Sequence, residues 1–351
     1  MEIKNYLSTL TWVKLAAILF IFTLATFILH VGYILFVPLF AGLLIAMLLY
    51  PLARFFEKLG VGTKLAALFS VLLFILSVAM VGFIIIKQVV QFSDDLPGAE
   101  EKMAAYLQHA VNKISFGLYF TGEQNKDFFN RALKSMVGPL LMSSARTLVS
   151  TILLLFLTFF ILVHRSILMR FLLSLLNSPP KQKITGIIQS TRLMINSYLW
   201  GLLSQMAIVF SLLLIALLIM GIKYALLLAL IAAVFNIIPY LGIYIAAAFA
   251  VLITMVYGGE SKSMEALIIF LAVHFLDANV VVPFILGHRV KMNPLMAFIA
   301  LITGELIWGV PGLFLFIPLT AVLRIIFKNI RDLAPLSILL SEEKTKANEL
   351  S

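Results

Sequence analysis

The sequence predicts an all-α, polytopic membrane protein with about eight transmembrane helices. Hydrophobic residues make up 62% of the 351-residue chain and charged residues only 12%, whereas soluble domains contain roughly 45–50% and 25%. So few charged side chains cannot cover the surface of a water-soluble fold of this length. The apolar residues also come in runs of about 20, the length that a helix needs to cross the hydrocarbon core. The chain must therefore turn apolar side chains toward lipid.

Three apolar runs form the predicted N-terminal membrane segment, residues 1–87. The first run follows a polar stretch without a small-residue cleavage site, so we expect it to be retained as a span. It turns at Gly32 into a second run, which carries Pro38 and which we expect to end at Pro51 because proline interrupts helices. The third run follows a basic loop and ends at Lys87.

The character of the sequence changes over residues 88–144. Acidic and basic side chains alternate in this segment, and Pro97-Gly98 and Thr121-Gly122 interrupt it. Apolar residues recur at helical spacing between the interruptions, which is typical of amphipathic helices. The pattern predicts a small, helical, extracytoplasmic insert.

Residues 145–327 form the predicted C-terminal membrane core, and a charged tail follows at 328–351. Two apolar pieces on either side of Pro239 contain 15 and 16 residues. They would span about 22–24 Å as helices, less than the roughly 30 Å hydrocarbon core. They form either a re-entrant or broken helix pair, which gives eight transmembrane helices in total, or two full crossings, which gives ten. Both totals stay open. A final hairpin is expected to turn at Pro311-Gly312.

The basic residues lie mainly in short loops between the apolar runs. These loops occupy residues 54–64, 165–192 and 288–291, and the positive-inside rule places them in the cytoplasm. Both termini are then cytoplasmic as well. The net charge of +10 is explained by these loops, so we expect the lipid bilayer as a partner and no nucleic acid.

Asp277 is the strongest candidate for a functional side chain. It lies midway along an apolar run, where a carboxylate is costly unless it meets water, an ion or a partner. His274 is three positions earlier and shares its helical face, whereas Asn279 faces elsewhere. Two interpretations stay open: Asp277 couples or gates transport while His274 modulates its protonation, or a hydrogen bond merely locks the helix packing. Glu305 is a weaker candidate, because a residue in the final hairpin can snorkel to the interface.

Interruptions of the apolar helices supply further candidates. Pro239 frees a backbone carbonyl and Gly242 permits a tight turn, so this segment and the Asn236 amide are suited to a cation or a hydroxylated solute. A simple turn between helices is the alternative. The remaining candidates for a solute or ion path are Tyr240, Asn279, Pro283, Gly304, Pro311 and Gly312.

The sequence contains none of the patterns that would indicate catalysis. It has no cysteine, and its five histidines are scattered without metal-ligand spacing. It also lacks a phosphate-binding loop, a His-Glu-x-x-His motif and a Gly-x-Ser-x-Gly motif. We therefore predict a secondary transporter that is not an enzyme and needs neither a metal nor a cofactor. The alternative is a channel or a scaffold that recruits partners through the insert.

Several short motifs of the chain carry a resemblance to a known family. They are Asn236-Ile-Ile-Pro-Tyr-Leu-Gly242, Asp277-Ala-Asn-Val-Val-Val-Pro283 and Gly309-Val-Pro-Gly312, together with Asn293-Pro294, Pro38, Pro51 and Tyr198-x-x-Gly201. With these motifs the chain resembles the autoinducer-2 exporter family of bacterial permeases. It departs from the family at three positions: Leu202 stands where glutamine is usual, Ile243 where proline is usual, and Asp277 where glutamate is frequent. The first departure removes an amide from the expected site.

The resemblance implies properties beyond those that the residues indicate. It implies a fold of about eight helices in the bacterial cytoplasmic (inner) membrane and a homo-oligomer, with a pentamer as the expected assembly. It also implies export of a small polar solute or a signalling molecule like autoinducer-2, coupled to the proton or ion gradient. Sodium(lithium)/proton antiport is the alternative activity that the resemblance implies.

Overall fold

The structure of the chain is a computed structural model that describes residues 2–94, 145–174, 181–237, 242–285, 292–330 and 333–341. In these ranges the chain is helical and contains no β-strand, apart from one isolated bridge between Met292 and Ser341. Six of the described helices are long and apolar enough to cross a membrane. The all-α, polytopic fold is thus confirmed, whereas the total of eight crossings stays a prediction. Most of the predicted insert, residues 95–144, lies outside the described residues.

The described helices are given in chain order. They are α1 (Glu2–Val31), α2 (Tyr33–Lys58), α3 (Thr63–Asp94), α4 (Ala145–Ser174), α5 (Lys181–Ile219), α6 (Ala225–Phe235), α7 (Gly242–Leu276), a π-helical turn (Asp277–Val281), α8 (Val282–Ile285), α9 (Pro294–Trp308), α10 (Val310–Asn329) and α11 (Ala334–Leu339).

The expected end of the second apolar run at Pro51 is wrong, because α2 continues to Lys58. The helix ends in a hydrogen-bonded cap instead. The Gly60 N–H donates to the Glu57 carbonyl over 3.0 Å, and the Val61 N–H donates to the Phe56 carbonyl over 3.2 Å. These two bonds satisfy carbonyls that a helix end otherwise leaves unpaired. A proline alone does not provide that termination.

The third helix is longer than the sequence pattern predicts. It runs seven residues past Lys87 to Asp94, since the first proline or glycine after Lys87 is Pro97. Near its end, the ring of Phe92 packs edge-on against Tyr224 at 5.3 Å between centroids and against Tyr257 at 6.1 Å. Packing of this aromatic side chain stabilises the extra turns.

Helix α7 is a hairpin of two antiparallel halves. Gly259 divides it with a backbone conformation (φ 74°, ψ −171°) that only glycine adopts without strain. Tyr244 and His274 are 30 residues apart, which would be about 45 Å in a straight helix. Their side chains nevertheless lie 3.2 Å apart. Residues 242–258 and 260–276 therefore run side by side, and each half has 17 residues, close to the minimum for a membrane crossing.

The helices group into two compact units, each of which draws on separated parts of the chain. The first unit contains Met1–Met47, Val149–Thr191 and Lys291–Ser351, and the second contains Leu48–Leu148 and Arg192–Val290. The core of the second unit is an apolar cluster on α5, α6 and α7, in which Leu213, Leu228 and Phe270 are fully buried. This packing grouping differs from the four consecutive segments predicted from sequence order, which stay a prediction.

The first unit contains the final hairpin, formed by α9 and α10. The chain turns at Gly309 (φ 65°), so the turn expected at Pro311-Gly312 is displaced. Both of these residues lie in the first turn of α10, where the missing N–H of proline costs nothing. Gly304 and Gly312 bring the two backbones into contact, because a Cβ atom on either glycine would collide with the backbone of the other.

Candidate functional site

Asp277 lies in the second unit with only part of its hydrogen-bonding capacity used. The residue is 5% exposed. Its Oδ2 atom accepts a hydrogen bond from the Gln205 Nε2 atom over 2.9 Å. Its Oδ1 atom is buried and has no hydrogen-bond partner among the described residues. One oxygen of the carboxylate is therefore hydrogen-bonded, and the other has no partner among the described residues.

The local backbone explains why Asp277 points inward. The residue begins the π-helical turn, in which the Val282 N–H donates to the Asp277 carbonyl five residues earlier. Pro283 follows directly; it has no N–H, and its ring would clash with the carbonyl of Asn279 in a regular helix. The wider turn relieves that clash, and π turns of this kind are frequent at functional sites.

The carboxylate lies deep within the thickness of a membrane. Lys262 Nζ donates to the Met220 carbonyl over 2.8 Å, so the end of α5 and the polar turn of the α7 hairpin are at one level. Gln205 and Asp277 are each 15 residues from that level along their helices, which is about 22 Å at 1.5 Å per residue. Because the hydrocarbon core is roughly 30 Å thick, the pair lies inside it.

The break between α6 and α7, which Asn236 and Gly242 flank, lies beside Asp277. Asn236 caps the C-terminal end of α6, and its side chain approaches the Asp277 carboxylate. Its Nδ2 atom is buried without a hydrogen-bond partner in the part of the chain that the structure describes. Gly242 begins α7 against the Phe235 carbonyl, where a Cβ atom would collide. The predicted candidates Pro239 and Tyr240 lie outside the described residues.

His274 connects the carboxylate to an exposed side chain. The imidazole is within electrostatic range of Asp277, as their shared helical face predicts. Its Nε2 atom shares a hydrogen bond with the Tyr244 hydroxyl, 3.2 Å away. Its Nδ1 atom is buried and finds no hydrogen-bond partner within the described ranges. Tyr244 is 54% exposed, so this pair links the buried site to its surroundings.

Two residues of this site were not predicted from the sequence, Gln205 and Tyr244. The amide that was expected to be lost at Leu202 is present at Gln205, one helical turn beyond Gly201. A signal for it exists in the sequence: Tyr198 and Gln205 are seven residues apart and share one face of an apolar helix. Both are buried in the structure. Tyr244 carries no comparable signal, because its partner is 30 residues away.

The other predicted candidates are not gathered around Asp277. Asn279 is exposed, and its Nδ2 atom donates to the Phe275 carbonyl of its own helix over 2.8 Å. Pro283 is exposed as well. Gly304, Glu305, Pro311 and Gly312 belong to the first unit. The Glu305 side chain is exposed in the last turn of α9, a position that suits an interfacial residue.

The unpaired polar atoms define what the site can bind. Leaving a buried donor or acceptor unpaired costs about 1–3 kcal/mol, so such atoms usually meet water, an ion or a ligand. Here they include a donor, Asn236 Nδ2, and an acceptor, Asp277 Oδ1. A hydroxyl group both accepts and donates and can satisfy the two together, whereas a bare cation can satisfy only the oxygen. Over the described residues, no group of three or more His, Asp or Glu side chains is arranged to hold a metal ion.

Comparison with known proteins identifies relatives of the whole chain. The model of the AI-2E family transporters matches residues 15–332. YueF of Bacillus subtilis is 28% identical over 93% of this chain and 94% of its own length. YrrI of the same organism is 25% identical over 83% of this chain and 85% of its own length. Both are named as proposed transport proteins. A shorter match, 25% identical over 35% of this chain and 36% of the relative, is the AI-2 transport protein TqsA of Escherichia coli.

Proposed function

Because the chain belongs to the AI-2E family of transporters, we propose that it is a secondary transporter of a small polar solute, with Asp277 as the coupling carboxylate. Membrane transport follows from the family, and the apolar helices follow from the need to span a bacterial membrane. The substrate class, the export direction and the coupling to a proton gradient are parts of the proposal. AI-2, which the full name of the relative TqsA includes, is one member of the solute class that we infer.

The observation that carries the proposal is the half-paired carboxylate of Asp277. Gln205 donates to Oδ2, while Oδ1 and the nearby amide nitrogen of Asn236 have no hydrogen-bond partner among the described residues. A proton on Oδ1 converts that atom from an acceptor into a donor, so it changes which solute groups the site can hold. Proton uptake and solute binding at one oxygen are thereby linked, which is the requirement for coupling.

The break between α6 and α7 supplies a means of changing access. Interrupted helices at membrane depth are tolerated where they line a cavity. The end of α6 carries Asn236 and the start of α7 carries Gly242, directly against Phe235. A small shift of α6 would move the Asn236 amide relative to Asp277. Differential binding of a solute to the two arrangements is what would drive that shift.

Sodium(lithium)/proton antiport is the second candidate, and the same oxygen favours it. A monovalent cation in place of the solute would contact Asp277 Oδ1, and carbonyls at the end of α6 would complete its shell. The scaffold alternative depends on the insert, which is largely outside the described residues, and it stays a prediction. So does a homo-oligomeric, pentameric assembly.

The test is flux into proteoliposomes that contain the purified full chain. A panel of sodium, lithium and small hydroxylated metabolites is offered under an imposed proton gradient. We expect one panel member to move, and we expect Asp277→Asn to lower its gradient-driven flux by at least about a hundredfold, the scale of a lost proton-transfer group. Glu305→Gln is the matched control, since it removes an exposed carboxylate from the first unit, and it should stay within about twofold of wild type. No flux for any panel member, or equal flux for Asp277→Asn, would overturn the proposal.

We further propose that both termini are cytoplasmic, as the basic loops indicate. The chain contains no cysteine, so single introduced cysteines report position without a background. In intact cells, a membrane-impermeant maleimide should label Ser261→Cys in the polar turn of the α7 hairpin. Lys64→Cys, in the basic loop, should be labelled only after permeabilisation. The reverse pattern would invert the topology.

A further inference from the structure

We propose that Tyr244 and His274 form a proton relay that loads and unloads Asp277. The inference rests on the proposed function, in which Asp277 takes up and releases a proton. It adds a route by which that proton reaches a carboxylate that is 5% exposed. It also gives Tyr244, a residue without any apparent part in solute binding, a defined role.

The geometry places three proton-exchanging groups next to one another along the α7 hairpin. Tyr244 belongs to the first half of α7, and His274 and Asp277 to the second half and the turn that follows it. The Tyr244 hydroxyl is 3.2 Å from His274 Nε2, and the two rings meet edge to face with 5.1 Å between centroids. His274 precedes Asp277 by three residues, so the two side chains are neighbours on one helical face.

The two nitrogens of His274 have different surroundings, as a relay requires. Nε2 is bonded to a hydroxyl whose residue is 54% exposed. Nδ1 is buried and has no hydrogen-bond partner among the described side chains. Asp277 Oδ1 has the same property. An imidazole accepts a proton at one nitrogen and donates from the other, and the two unpaired atoms are at the end of the route where the transfer is needed.

The transfer balances with one proton entering and one delivered. Because Tyr244 lies at the level of Asp277 within the membrane, we place its hydroxyl in a water-filled cavity of the kind that interrupted helices line. There the hydroxyl gives its proton to His274 Nε2 and takes one from a hydronium ion, which becomes water. The imidazolium then releases its Nδ1 proton, through one water molecule or after a side-chain rotation that brings the two atoms into contact, to Asp277 Oδ1, which changes from carboxylate to carboxylic acid. His274 is left protonated on Nε2 alone, and a flip of the ring restores the starting tautomer. The reverse sequence unloads Asp277.

The described groups that face Asp277 from neighbouring helices do not compete for the proton. Helix α5 presents the amide of Gln205 to Asp277, and α6 presents the amide of Asn236. Neither amide titrates. Gln205 instead fixes Oδ2, which leaves Oδ1 as the atom that exchanges the proton.

The primary test measures proton arrival at Asp277 directly and needs no transported solute. The full chain in lipid nanodiscs receives protons from a light-triggered photoacid, and time-resolved infrared spectroscopy follows the carbonyl stretch of the protonated carboxylic acid. Asp277→Asn identifies the band. In Tyr244→Phe, which keeps the ring and loses only the hydroxyl, we expect the band to appear about tenfold more slowly. Its final amplitude should be unchanged, because a proton route affects the rate and not the equilibrium.

A matched variant and a chemical rescue separate a relay from a packing role. Tyr257→Phe removes a hydroxyl from the same half of α7 but about 20 Å along the helix from Tyr244, and it should leave the rate unchanged. His274→Ala should slow the band as Tyr244→Phe does, and imidazole in the buffer should restore part of the rate. Wild-type kinetics in Tyr244→Phe, or the absence of an Asp277 band in the wild-type chain, would overturn the relay. If no panel member is transported but Tyr244→Phe still slows the Asp277 band, the proposed function is wrong and the relay stands.

Discussion

The α6–α7 break and the α9–α10 turn look alike in sequence and differ in structure. Each combines glycine and proline in an apolar hairpin. At the α9–α10 turn, Gly304 and Gly312 press backbone against backbone and leave no space between them. At the α6–α7 break, Asn236 and Asp277 keep buried polar atoms without partners among the described residues. The unpaired buried polar atoms, and not the helix interruptions, are the reason that we propose the α6–α7 break and not the α9–α10 turn as the functional site.

Two polar side chains beside the α9–α10 turn have hydrogen-bond partners within the first unit. The Trp308 indole N–H donates to the Leu29 carbonyl over 2.9 Å. Nδ1 of His30 shares a hydrogen bond with the Ile307 carbonyl at the same distance. Leu29 is in the last turn of α1, whose carbonyls have no partner within the helix, so Trp308 acts as its cap. These two hydrogen bonds stabilise the first unit.

We expect the largest difference in flux between variants of the two regions when the Gln205 amide is removed. Gln205→Leu leaves Asp277 Oδ2 without its donor, and a hydrogen bond to a charged group contributes about 1.5–3 kcal/mol. We therefore expect gradient-driven flux to fall by about ten- to a hundredfold in proteoliposomes. Thr158→Val, which removes a buried hydroxyl from the first unit, should leave flux per folded molecule near wild type. Equal losses in the two variants would mean that flux reports only general packing.

Adding one methyl group at the closest backbone contact of each region sharpens the comparison. Gly242→Ala collides with the Phe235 carbonyl, and Gly312→Ala collides with Gly304. Each should lower the free energy of unfolding by up to about 3 kcal/mol, the scale of overpacking. Thermal unfolding followed by the fluorescence of the three tryptophans measures this loss. Only Gly242→Ala should also lower flux per folded molecule, because it displaces the end of α6 that carries Asn236; a flux defect confined to Gly312→Ala would reverse our assignment.

A smaller loss of stability is expected for a substitution in the turn of the α7 hairpin. Gly259→Ala places a Cβ atom on a backbone with φ 74° and ψ −171°, a strain of about 2 kcal/mol. The free energy of unfolding should fall by that amount. Gly82→Ala is the control, since nothing lies within 4 Å of its added Cβ atom and alanine favours the interior of α3. A stable Gly259→Ala variant would argue against the hairpin.

The smallest effect is expected at the cap of α1. Trp308→Phe removes the hydrogen bond to Leu29, and such bonds in membrane proteins contribute about 0.6 kcal/mol. Chemical unfolding should register a loss of this size, and flux should be unchanged. A large loss of flux would show that the α9–α10 turn takes part in transport after all.

Much of the fold could be predicted because membrane helices leave a strong local pattern. Composition and apolar runs predicted the all-α membrane fold, and spacing along one helix predicted that His274 shares a face with Asp277. Helix ends were less predictable: Pro51 did not end α2, and Gly309 turned the final hairpin in place of Pro311-Gly312. Those ends depend on hydrogen-bonded caps and positive φ angles, which a proline or glycine permits but does not require.

The partners of the site were the least predictable part. Gln205 and Asp277 are 72 residues apart, and Tyr244 and His274 are 30 apart. No periodicity within one helix links such positions. The departure at Leu202 even indicated that an amide was missing, although the face that Gln205 shares with Tyr198 on α5 offered a signal for it.

By itself, the sequence determined that the chain spans a membrane and that its backbone hydrogen bonds form within helices. It also showed that one aspartate lies in an apolar run, where it needs a polar partner. These follow from solvation, since hydrocarbon excludes unpaired backbone groups and penalises an isolated charge wherever it occurs. The tertiary structure alone decided which oxygen of Asp277 is held, which remains open, and which imidazole nitrogen meets an exposed hydroxyl. Hydrogen bonds act over about 3 Å, and only the packing of distant helices brings such groups within that range.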